Sequence, residues 1–217
     1  MVTINEVIKA YYLHRSQGMM NELNNLHKKY SMQKKLNQSM AKDILEGGHQ
    51  DRLKYERKIH YADMFWKVCS RLKSSSLLID SSIKNFEDLH KEVKLLLCNP
   101  QIKGIGDLTI YDIALRIGYV RYNQILPEKK IYLFAGANKG ANILFYSNPS
   151  LFTIPSSTPL IKPGAYDMTI FKSPLSDIPS FFLEDMFCVF HSLLGKMSHI
   201  NYTRLQKVLS YYVQVKK

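Results

Sequence analysis

Apolar side chains recur at helical spacing from the start of the chain. Ile4, Val7, Ile8, Tyr11 and Tyr12 share one helical face, and Met19, Leu23 and Leu26 continue the pattern beyond Gly18, a candidate break. Ser31 stands where an N-cap would open a further helix, with Met32, Leu36, Met40 and Ile44 on one side. Residues 3–45 are therefore predicted to be helical throughout. Gly47-Gly48 supplies the backbone freedom of a helix exit. Another periodic stretch begins at His49-Gln50-Asp51-Arg52 and runs to about Leu72, with Leu53, Met64, Phe65, Val68 and Leu72 apolar and Trp66 within it.

Asn85 is a second N-cap candidate. Glu87 and Asp88 follow in the first turn, where carboxylates complement the positive end of the helix dipole. Phe86, Leu89, Val93, Leu96 and Leu97 give this helix its buried stripe as far as Cys98, and Asn99-Pro100 ends it. Leu108 to Gly118 is predicted helical. Ile131 to Phe134 fits either a strand or a buried helical turn, which periodicity over four residues does not separate. Ala137 to Phe145 is predicted helical. Residues 147–180 hold six of the eight prolines and are expected to form a long irregular arm, held down by Leu151, Phe152, Ile154, Leu160, Ile161 and Ile170. Phe181 to Leu194 and Tyr202 to Val215 close the chain as helices.

The expected fold is mainly α, a single multi-helix domain with at most one minor strand pair. Within it, 1–46 are amphipathic N-terminal helices, 47–146 a helical core with a hairpin element at 86–118, 147–180 the Pro-rich arm and 181–217 the C-terminal helices. The Met-rich stretch 19–45 could pack on the body or form a homodimer surface.

Charge changes the picture. The formal net charge is +12, spread evenly along the chain, with no run of five like charges. A positive surface of this kind attracts phosphate polymers or anionic lipid, although basic proteins also carry charge for solubility. The three cysteines, Cys69, Cys98 and Cys188, lie far apart and fit reduced thiols in a cytoplasmic protein. The N-terminal residues lack the apolar run of a secretory signal, and no stretch suits a membrane span, so no membrane partner is expected.

One local motif carries chemistry: Ile102-Lys103-Gly104-Ile105-Gly106-Asp107-Leu108-Thr109, set between two predicted helices. It resembles the helix-hairpin-helix element of DNA repair and replication proteins, on Ile102, Gly104, Ile105, Gly106 and Thr109. Glycines let the backbone turn tightly and approach another chain without a Cβ. The first N–H groups of the second helix then face a phosphate, helped by the helix dipole. Such contacts position a protein on nucleic acid without reading its sequence. A plain packing turn is the alternative for the same glycines.

The resemblance reaches the endonuclease III-like DNA glycosylases, whose bifunctional members carry a lysine nucleophile two residues after the second glycine. That position is Leu108 here. The acid expected some twenty residues further on is matched only by Glu128, and three cysteines are too few for a four-cysteine cluster. Asp107 and Asp112 flank the turn and are the candidates for metal-assisted cleavage; otherwise Asp107 complements the dipole.

Other groupings are weaker. Gly136-Ala137-Asn138-Lys139-Gly140-Ala141 is either an anion loop or a close helix contact, and it lacks the Gly-Lys-Ser/Thr of a nucleotide loop. The segment from Leu126 to Ala141 is similar to stretches in bacterial proteins that bring no activity with them. Glu184, Cys188 and His191 share a helical face that also reads as core. His49, His60, Asp51 and Asp63 lack metal-ligand spacing. Tyr119, Arg121 and Tyr122 interleave aromatic and basic residues, as base stacking or a core edge would.

The expectation is a non-enzymatic DNA-binding protein without cofactor or metal. Lys103, Gly104 and Gly106 would grip the backbone, supported by Thr109, Arg121 and Lys139. A divergent glycosylase or nuclease, and a helical structural or partner-binding protein, are the alternatives.

Overall fold

The structure is a computed structural model that describes residues 3–14, 16–46, 59–121 and 125–194. It is a mainly α, multi-helix fold with one minor strand pair among the described residues. The chain divides into two compact units, Met20–Leu126 on one side and Met1–Met19 with Pro127–Lys217 on the other. The N-terminal stretch 1–46 is thus shared between them. No helix among the described residues is long and apolar enough to cross a membrane.

The unit Met20–Leu126 holds most of α2 (Ser16–Tyr30), then α3 (Gln38–Glu46), α4 (Ile59–Ser74), α5 (Phe86–Cys98) and α6 (Asp107–Val120). Its centre is α6, buried at Ile110, Tyr111 and every residue from Ile113 to Val120. A helix apolar all round can only be an interior helix. Phe86, Leu89, Val93 and Leu97 of α5 form the buried stripe expected for it, and the Asn85 side chain caps it by accepting from the Asp88 N–H at 2.9 Å. The one cation within the buried part of α6, Arg116, donates to the Glu22 carboxylate at 2.8 and 3.0 Å. Nearby, the Tyr119 hydroxyl donates to Asn24 Oδ1 at 2.9 Å. These bonds tie α2 to the central helix.

The α3 expectation needs correction. The helix begins at Gln38, and its cap is Asn37, whose side-chain oxygen accepts from the Met40 N–H at 2.8 Å. Ser31 opens no helix. Residues 31–35 form a turn, and Met32 is fully exposed rather than on a buried face. Leu36, Met40 and Ile44 are buried as expected. The predicted helix start at His49 and the helix Tyr202 to Val215 lie outside the described residues.

The other unit is built from α1 (Ile4–His14), β1 (Lys130–Leu133), α7 (Ala135–Ser147), β2 (Gly164–Asp167) and α8 (Ser180–Leu194). The run at Ile131 is a strand. β1 pairs antiparallel with β2, with Ile131 opposite Tyr166 and Leu133 opposite Gly164. The Pro-rich arm is anchored by two buried amides of α7. The Asn142 side chain accepts from the Ile161 N–H at 2.8 Å and donates to the Ile161 carbonyl at 2.9 Å, and Asn138 donates to the same carbonyl at 2.8 Å. Two buried backbone groups of an irregular segment are thereby satisfied by side chains, which is what permits an arm with so little regular structure to cross a core. Phe145, Phe152, Phe171 and Phe187 stack in sequence, with ring centroids 5.1 to 5.7 Å apart.

Gly136 and Gly140 are the places where α7 meets α8. A methyl group at Gly140 would collide with the Phe187 carbonyl, and one at Gly136 would lie 2.8 Å from the Cys188 sulfur. The Gly136–Ala141 segment is therefore a close helix contact. Gly140→Ala is expected to destabilise the protein by about 3 kcal/mol or more, since a backbone clash outweighs the ~1 kcal/mol helix-propensity gain. Urea unfolding measures it.

Candidate nucleic-acid interface

The hairpin turn follows from four backbone and packing constraints. The Ile102 N–H reaches back to the Leu97 carbonyl at 3.1 Å, and the Ile105 N–H to the Ile102 carbonyl at 3.2 Å, closing the turn. Ile102 and Ile105 are 3% and 4% exposed, whereas Lys103, Gly104 and Gly106 are exposed. The two isoleucines thus face the interior, and the residues between and beside them face out. Gly104 has φ +92°, a left-handed conformation that a side chain would strain. Gly106, in extended conformation, is the N-cap of α6 and offers no capping side chain. The first N–H groups of α6 have no acceptor within the helix, and they follow an exposed glycine.

Two residues of α4, absent from the expectation, support this turn. Met64 lies under Gly104, where an added Cβ would sit 3.2 Å from its sulfur. Arg71 donates through Nη1 to the Leu96 carbonyl at 2.9 Å and the Pro100 carbonyl at 2.7 Å, holding the exit of α5 in place. Both come from a helix more than thirty positions upstream of the glycines, so no spacing rule connects them.

The structure gathers part of the expected residue set. Lys103, Gly104, Gly106 and Thr109 are together at the turn, with Thr109 half-buried and Lys103 carrying no hydrogen bond or ion pair to the described residues. Arg121 lies at the far end of α6, roughly 20 Å away for a helix of this length. Its guanidinium donates to the Leu77 carbonyl at 2.7 Å and the Asp80 carbonyl at 2.9 Å, so its donors serve the loop before α5. Lys139 is exposed on α7, in the other unit, as is Glu128. Tyr119 is buried, its ring against His27, and Tyr122 lies outside the described residues.

The two acids beside the turn differ in setting. Asp107 is exposed and paired with Lys94 of α5 at 3.1 Å, a surface ion pair that contributes little to stability. Asp112 is half-buried, and five helical positions put it about 140° around the axis from Asp107. Among the described residues no cluster of three His, Cys, Asp or Glu could hold a metal ion. In the other unit, Glu184 and Cys188 are buried in α8, and burial together with the nearby Lys139 ammonium holds the His191 imidazole below its usual range.

Beneath the Lys94–Asp107 pair sits His90. Burial, reinforced by Lys94 and opposed by Asp107, pushes its imidazole down to about 4. Comparison with protein-family models, curated proteins and solved structures gave no match in any of the three.

Two outcomes follow from these contacts. His90 folds as the neutral base, so its contribution is present above pH 6.5 and is lost as pH falls from 6.5 towards about 4. His90→Gln should flatten that part of the pH dependence, compared with the unsubstituted protein in urea midpoints across this window. Arg121→Ala should lower stability by about 1–3 kcal/mol through two abandoned carbonyls, measured in the same assay at pH 7.5.

Proposed function

We propose that this chain is a non-enzymatic protein that binds the phosphate backbone of DNA through the hairpin between α5 and α6. The carrying observation is the division of the turn: Ile102 and Ile105 buried, with Lys103, Gly104 and Gly106 exposed at the start of a helix. Gly104 is required by its left-handed backbone in any turn of this shape, but Gly106 is extended with nothing within 4 Å of an added Cβ, so packing makes no demand for a glycine there. Exposed glycines admit a phosphate oxygen close to the backbone, the helix terminus favours negative charge there, and Lys103 supplies a mobile cation. The net charge of +12 adds long-range attraction. Cys69, Cys98 and Cys188 form no disulfide, which fits the reducing cytoplasm.

Backbone contacts of this type give weak sequence preference and a strong salt response. Binding to duplex DNA should have a dissociation constant of about 10⁻⁴ to 10⁻⁶ M near physiological salt and tighten as salt falls. The decisive variant is Gly106→Asp. Nothing lies within 4 Å of a Cβ at Gly106, and an aspartate there would cap α6. Thermal stability should hold or rise slightly, while repulsion of phosphate lowers DNA affinity about tenfold or more. Fluorescence anisotropy in a salt series reads both effects. Unchanged affinity in Gly106→Asp, or salt-independent binding, would sink the reading.

A further inference from the structure

The turn between α2 and α3 carries a charge pattern that the hairpin does not use. From Leu23 to Lys42 the chain has Lys28, Lys29, Lys34, Lys35 and Lys42, with His27, and no Asp or Glu. Lys29 is bound to Asp43 at 2.6 Å. Lys28, Lys34 and Lys35 are exposed and make no hydrogen bond or ion pair with the described residues. Between the two lysine pairs stands Met32, 91% exposed.

The turn is held from below. Tyr30 and Leu36, on either side of it, are buried, and the Tyr30 hydroxyl donates to Asp43 at 2.7 Å. The Ser31 N–H bonds the His27 carbonyl at 2.8 Å and the Gln33 N–H bonds the Tyr30 carbonyl at 2.9 Å. Met32 is therefore presented on a supported turn rather than a loose one.

Resting on the DNA reading above, we propose that this turn is a second contact on duplex DNA, with Met32 as a wedge between base steps and the flanking lysines on the adjacent phosphates. Met32, 91% exposed, gains no packing within the fold, so its side chain is open to a partner. Apolar wedges, methionine among them, enter the minor groove between stacked bases, while cations on either side neutralise the compressed backbone. Gln33 follows Met32 directly; its side-chain oxygen accepts from Asn37 at 3.0 Å, and its amide N–H groups suit the acceptors that the minor groove displays. An anionic bilayer would attract the same lysines. One methionine, however, buries far less apolar surface than an acyl chain, which itself anchors a protein only marginally. A wedge needs only one side chain.

The test uses the full chain and a duplex of about two helical turns carrying a dye at each end. Anisotropy gives affinity, and energy transfer between the dyes gives bending. The protein should bend the duplex. Met32→Ser should bind within about threefold of the parent yet lose most of the bend. The double variant Lys34→Gln/Lys35→Gln should bind about tenfold more weakly, with a log–log salt slope lower by about 2. All are surface changes, and melting curves verify that each variant is folded. A duplex left straight by the parent, a bend unchanged in Met32→Ser, or a salt slope unchanged in the lysine variant overturns the proposal. So does loss of binding to phosphatidylserine vesicles in the lysine variant while duplex binding is unaffected. Gly106→Asp is measured alongside. If it alone loses binding, the hairpin reading stands and the wedge fails; if only the turn variants lose binding and bending, the reverse holds.

Discussion

The burial of α6 on every side governs the unit that carries the hairpin. From Ile113 to Val120 every residue of this helix is buried, so its polar groups depend on partners within the protein. The backbone finds them in its own helical bonds. Arg116 finds them in Glu22 and the Asp112 carbonyl. Apart from the half-buried Asp112, the part of α6 that meets solvent is its first turn. That is where the exposed glycines lie, and a helix whose body is locked in a core holds its N-terminus in a defined direction.

The same demand for satisfied polar groups shapes the other unit by a different route. Its long arm between α7 and α8 has little regular structure, and its backbone supplies only some of its own partners, as where the Thr153 N–H bonds the Ile170 carbonyl at 2.9 Å. Asn138 and Asn142 supply others at Ile161, reproducing with side-chain amides the donor and acceptor pair that a neighbouring strand would offer. Two glycines, one in each unit, act in opposite senses. Gly140 is small because the backbone of Phe187 presses against it from inside the protein, whereas Gly106 has open space beside it. Only the second kind leaves room for something from outside.

Much of the fold was legible in local pattern. Asn85 capping, the stripe of α5 and the helical run after Gly106 rest on interactions within a few residues, which periodicity and capping chemistry report directly, whereas the run at Ile131 became a strand only through its pairing with Gly164–Asp167. At Ser31 the local pattern misled, because the expected cap rested on a period that admitted Met32 to the buried face. Tertiary burial of Tyr30 and Leu36 instead left 31–35 as a turn and gave the cap to Asn37.

The Gly-Ile-Gly core, the inward Ile105 and the outward glycines were determined by the sequence itself, because a tight turn between two helices has few ways to satisfy one apolar and two Cβ-free positions. Tertiary structure decided the remainder. It set Met64 and Arg71 under the turn, drew Arg121 to the carbonyls of Leu77 and Asp80, and left Lys139 in a separate unit. Those outcomes depend on partners about 25 to 44 positions apart in the chain. At that range the spacing of residue types carries no information, and only packing fixes which donor meets which acceptor.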